Sequence, residues 1–186
     1  MEIDIAVDLM GYTEGSRTRI FAHRPAPLQV AHLGFPGTMG ASYIDHILVD
    51  PILVPPDRQA HYAEKLVHLP NCYMPGDDKR VIAERPSRSE TELPESGFVF
   101  CSFNNTAKIV PPMFDVWMRL LSKVEGSVLW LSPASPVAVS NLRREAEARG
   151  VSGDRLVFAP FVAEAERHLA RLSLADLFLD TLPYNA

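Results

Sequence analysis

With 186 residues, 47% of them hydrophobic, the chain can build one substantial core or two small ones, and no apolar run approaches the roughly 18–20 residues of a membrane span. A formal net charge of −5 and the lack of any Lys/Arg run disfavour a nucleic-acid binder, which must neutralise a phosphate backbone. Cys72 and Cys101 stand without CxxC spacing, which predicts reduced thiols in a cytoplasmic protein and no zinc site; the acids of "MEIDIAVDL" predict no secretory leader.

In chain order, "IDIAVDL" (3–9) reads as a strand, and "SRTRIFAHR" as a short helix ended by the prolines at 25 and 27. "LQVAHLGF" and "DHILVD" read as strands, "PPDRQAHYAEK" as a helix and "KLVHLP" as a further strand. The polar, charged, proline-bearing stretch "GDDKRVIAERPSRSETELPESG" has the composition of a linker. Beyond it, "GFVFCSF" is a strand, followed by a helix in which Pro111 and Pro112 suit the first turn. Phe114, Trp117, Leu121 and Val124 recur on that helix at helical spacing, with Asp115, Arg119 and Lys123 on the opposite face. "SVLWLS", "RLVFAP" and "ADLFLD" are strands, separated by a helix from Ser135 to Gly150 and another over 163–172. Strands alternating with helices predict parallel doubly wound sheets. Each half holds fewer strands than a complete domain of that kind. The expected organisation is therefore the C-terminal part of one α/β domain over 1–75, a linker over 76–96, and the N-terminal part of a second over 97–186.

Ligands of open α/β sheets bind beyond the carboxyl ends of the strands, which selects four places. "MGYTEGSR" (10–17) offers glycines, hydroxyls and a basic residue to an anion, or is an ordinary turn. "LGFPGTMG" (33–40) has glycines at 34, 37 and 40, suiting either a close ligand approach or a plain turn. "FNNTAK" (103–108) puts Lys108 near a helix N-terminus, where partial positive charge favours phosphate; a capping loop with a solvated lysine reads equally well. His168 and Arg171 are neighbours on one helical face beside Ala165, Leu169 and Leu172, and either contact a diphosphate or base or serve structure. The chain contains no GxGxxG, no GxxxxGK[ST] and no Asp-x-Asp, so nicotinamide, P-loop and metal-clamped diphosphate chemistry lose their main supports.

Three stretches then carry a resemblance. "GYTEGSR…FAHRPAPLQVAHLGFPGTMGASYIDHILVD", "CSFNNTAKIVPPMFDVWMRLLSKVEGSVLWL" and "RLVFAPF…HLARLSLADLFLDTLPYNA" together resemble the catalytic region of the protein O-linked N-acetylglucosamine transferases and SPINDLY-like proteins. The lack of an inserted domain in the linker resembles the bacterial members. The resemblance implies a GT-B fold of two Rossmann-like domains with the donor between them. It implies an inverting, metal-independent transfer of N-acetylglucosamine from UDP-GlcNAc to protein Ser/Thr, with tetratricopeptide repeats upstream. By position, Lys108 matches the lysine on the donor diphosphate, and Asn105 stands where many members have glutamine. His168 and Arg171 match residues lining the uridine diphosphate site; Leu33, Gly34 and the Pro36-Gly37-Thr38 turn match the loop beside the sugar. Glu14 replaces a lysine of animal members, Arg17 matches a basic position, and His32 stands where tryptophan is common. The family's proposed catalytic histidine would fall before Met1 and its Gly/His-Thr-Thr turn after Asn185. No catalytic residue is therefore assigned, and the expectation is a fragment with little or no turnover alone. A SPINDLY-type fucosyltransferase using a guanosine donor and a non-catalytic nucleotide-binding remnant are the competing readings.

Overall fold

The computed structural model describes residues 2–185. They fall into two compact units, Met1–Asp78 and Lys79–Ala186.

In the first unit, β1 (Ile5–Asp8), β2 (Leu28–Ala31), β3 (His46–Val49) and β4 (Lys65–His68) form a parallel sheet in the order β1-β2-β3-β4. The helices expected between strands are 3-10 segments, Thr18–His23 and Pro56–His61. Neither buries a residue. A short segment hemmed by prolines, with no apolar stripe to dock, has little to favour the longer α-helix. Ala31, Met39, Ile44, Ile47, Val49 and Val54 make the core of this unit. Edge strand β1 leaves Ile5 and Val7 exposed.

The second unit runs β5 (Val99–Ser102), α1 (Pro111–Lys123), β6 (Val128–Leu131), α2 (Pro136–Glu147), β7 (Leu156–Phe158), α3 (Ala165–Leu172) and β8 (Leu177–Phe178). Its parallel sheet has the order β7-β6-β5-β8. From β5 the chain builds outward through β6 and β7, then crosses back to place β8 on the other side of β5. Strands β5 and β6 are buried at every position. Phe114, Trp117, Met118 and Leu121 sink one face of α1 into this core, each worth roughly 1.5–3 kcal/mol by area. Asp115, on the other face, pairs with Arg149 at 2.6 Å. Arg155 donates to the carbonyls of Leu121 and Val124, closing the end of α1. Ser135 caps α2 by accepting from the Ala138 N–H, as its position predicts.

Much of the linker-like stretch packs on this unit. Ala83 N–H donates to Glu166 O, Arg85 donates to Ser173 O, and Leu93 is buried beside Val99, Cys101 and Leu174. Its polarity marks a surface strap rather than a free tether. No helix among the described residues is long and apolar enough to cross a membrane.

Candidate nucleotide-sugar site

Doubly wound sheets take ligands beyond the carboxyl ends of their strands. The chain leaving β5 brings Phe103, the chain leaving β6 brings Ser132 and Pro133, and the chain leaving β7 brings Phe161, Val162 and Ala163. With His168 and Arg171 of α3 they line a pocket of about 440 Å³. That is within the usual size range for a small-molecule site.

Arg171 organises it. Only 4% exposed, it donates through Nη1 to Pro160 O at 2.7 Å and through Nη2 to His168 Nδ1 at 2.7 Å. Its guanidinium lies 4.9 Å over the Phe103 ring, which is braced edge-on against the buried Trp130. A guanidinium only donates, so His168 Nδ1 is an acceptor. The imidazole is therefore neutral, and its proton sits on Nε2. Burial, then the neighbouring Arg171 charge, holds the His168 pKa below its ordinary value, in agreement with the hydrogen bond. The buried Arg171 Nε has no partner among the described residues. The pocket thus combines an aromatic shelf, apolar walls and unspent N–H donors.

The sequence pattern predicts that Ala165, Leu169 and Leu172 form the buried stripe of α3. The structure buries Ala170 and Arg171 instead, and leaves Ala165 and Leu172 exposed. An arginine can take the inward position because a carbonyl and an imidazole receive its donors.

Lys108 and Asn105 do not line this pocket. They lie further along the chain leaving β5, where Asn105 Oδ1 accepts from the Ala107 N–H and caps the turn Thr106–Lys108. Lys108 Nζ donates to Asn185 O at 2.8 Å and stands 4.6 Å over the Tyr184 ring, beyond the end of β8. Buried Asn104 ties the two strand ends together, donating to Asp180 and Thr181 at 3.0 and 2.8 Å. The helix-terminus contribution expected beside Lys108 is absent. Pro111 and Pro112 have no N–H, and the next two amides donate to Val110 O.

The sugar-loop residues belong to the first unit. Leu33 and Gly34 adopt φ of 63° and 57°, and a side chain at Gly34 would overlap the Met10 carbonyl. Pro36 O accepts from Tyr62 Oη at 3.1 Å, Gly37 lies against the Phe35 ring, and Thr38 bonds to Glu64. Within the 10–17 loop, Met10 and Gly11 donate to Asp8 Oδ1, Thr13 to Met10 O and Ser16 to Thr13 O.

Burial pushes the Cys101 thiol up to about 12, so it stays protonated and serves packing. Sequence reasoning missed the Phe103 shelf and Glu64. An aromatic after a buried strand and an acid in a polar segment carry no distinguishing pattern.

A family model described as "Glycosyl transferase family 41" matches residues 2–88 and 83–186. The chain belongs to glycosyl transferase family 41. It is 40% identical to a probable UDP-N-acetylglucosamine–peptide N-acetylglucosaminyltransferase, SEC, of Arabidopsis thaliana, over 97% of this chain and 19% of the relative. It is 36% identical to the SPINDLY protein of Solanum lycopersicum, named as the same probable activity, over 98% of this chain and 20% of the relative. A solved lysine-to-methionine mutant of the Thermobaculum terrenum O-GlcNAc transferase superposes with a TM-score of 0.82 at 34% identity, covering 99% of this chain and 35% of that one. The family-41 chain thus spans about a fifth of the length of these two curated relatives. The α/β architecture, with a parallel Rossmann-like sheet in each unit, is that of the solved O-GlcNAc transferase.

Proposed function

We propose that the protein transfers N-acetylglucosamine from UDP-GlcNAc to serine or threonine hydroxyls of proteins. The observation that carries this reading is the Arg171–His168–Phe103 pocket beyond the carboxyl ends of β5, β6 and β7, in a chain of family 41. A flat base rich in carbonyl oxygens suits an aromatic shelf flanked by His168 Nε2–H and Arg171 Nε–H. Lys108, at the next strand end, meets the diphosphate charge, and no metal takes part.

The transfer inverts. The acceptor oxygen forms a bond to the anomeric carbon as the bond from that carbon to the diphosphate oxygen breaks. The electron pair leaves with the diphosphate, and the hydroxyl proton passes to a base that we do not assign within this chain. Lys108 stabilises the departing charge, an effect that counts most when it develops in the transition state. Full-length protein incubated with labelled UDP-GlcNAc and an acceptor polypeptide will incorporate sugar at Ser/Thr, detected by mass spectrometry. Incorporation from GDP-fucose but not from UDP-GlcNAc would overturn the proposal.

A further inference from the structure

We infer that Glu64 is a positioning residue for sugar recognition: its buried carboxylate fixes the Pro36–Gly40 loop in the form that reads the donor's sugar. This rests on the proposed function and on the family resemblance, which sets that loop beside the sugar.

Glu64 is 1% exposed. No Lys, Arg or His forms an ion pair with it among the described residues. A buried carboxylate without a cation is costly and persists only where other donors satisfy it. Both of its donors come from this loop. Thr38 Oγ1 donates to Oε2 at 2.7 Å, and the Met39 N–H donates to Oε1 at 2.7 Å.

The hydrogen-bond accounting at Thr38 is full. Its one proton goes to Glu64, while its oxygen accepts from the Gly40 and Ala63 N–H groups at 3.0 and 3.1 Å. Tyr62 Oη holds Pro36 O, and Gln59 Nε2 anchors the Glu64 carbonyl at 2.8 Å. From the β1 side, Tyr12 Oη donates to Met39 O at 2.7 Å. The loop is held at both flanks, and among the described residues Glu64 supplies the acidic grip on it.

A glutamine cannot replace this acid. Its carbonyl can serve the Met39 N–H, but its amide would then donate toward a Thr38 oxygen already accepting twice, and the Thr38 proton would lose its acceptor. Thr38→Ser keeps every hydroxyl bond and should keep the exchange protection over 36–40. Thr38→Val should behave like Glu64→Gln.

The test uses full-length protein and three readouts: donor KM for UDP-GlcNAc, inhibition by UDP, and amide exchange resolved to residues 36–40. In Glu64→Gln we expect the donor KM to rise about tenfold, the factor carried by one lost hydrogen bond of ordinary strength. UDP inhibition stays within about twofold of the parent, and exchange accelerates over 36–40 while β2 and β3 keep their protection. A merely structural acid would shift UDP inhibition and donor KM together, and that result overturns the inference. So does an unchanged donor KM, whatever the exchange shows. If the unmutated protein uses no UDP-sugar at all, the proposed function itself fails, and this is visible before any variant is made.

Discussion

The strand ends of the two sheets are finished in opposite ways. In the first unit, acids consume the backbone donors. Asp8 takes the Met10 and Gly11 N–H groups, Asp50 those of Ile52, Leu53 and Tyr73, and Glu64 that of Met39. Those bonds, from Leu53 and Tyr73 first, hold the Asp50 carboxyl below its usual range. In the second unit Asp180 likewise takes the Thr181 N–H, but Arg171 Nε, the proton on the neutral His168 Nε2, and Lys108 stand at the strand ends as side-chain donors. A loop whose donors are spent is a shaped wall; one with donors in reserve is an anion or base receptor. Under the proposed function, affinity for a nucleotide belongs to the second unit.

That contrast breaks most readily at Arg171. Arg171→Ala leaves the Pro160 carbonyl and His168 without their partner, and should weaken UDP at least 30-fold, about 2 kcal/mol or more, by calorimetry. Gly34→Ala should leave UDP affinity unchanged. It should instead lower the stability of the first unit by about 1–3 kcal/mol in denaturant unfolding, because φ is +57° and a methyl would meet Met10. Equal losses of UDP binding in these two variants would erase the distinction between wall and receptor. Lys108→Ala should cost about tenfold in UDP affinity, reduce its salt dependence, and leave uridine binding alone.

The smallest effect is a pH dependence. The folded-state His168 pKa lies below that of a free imidazole, so the unfolded chain binds more protons as pH falls. His168 then costs nothing above about pH 6.5, and stability declines as pH drops from there toward the folded value. The unfolding midpoint, measured from pH 7.5 down to pH 5, should show this decline, and His168→Gln should flatten it.

The alternation of strands and helices was legible because apolar runs and helical stripes dominate the second half, as at Phe114, Trp117 and Leu121. The first half was less so. Its 3-10 connections bury nothing and thus carry no periodic signal. Lys108, His168 and Arg171 stood out by resemblance and by lying near strand ends. The burial of Arg171 could not be read, because it depends on a carbonyl eleven residues earlier in the chain and on an imidazole one turn away. Glu64 was invisible for a related reason. Its partners, Thr38 and Met39, are more than 20 residues distant, and only the pairing of β3 with β4 and the turn before it bring them together. Strap residue Leu93 sits in a stretch whose average composition masks its inward side chain.

The most direct measurement is equilibrium binding of UDP and of GDP to the unmutated protein and to Arg171→Ala, in one buffer at one salt concentration. The account predicts that UDP binds more tightly than GDP and that the arginine variant loses most of that binding. UDP affinity that survives the loss of Arg171, or a preference for GDP, would contradict it.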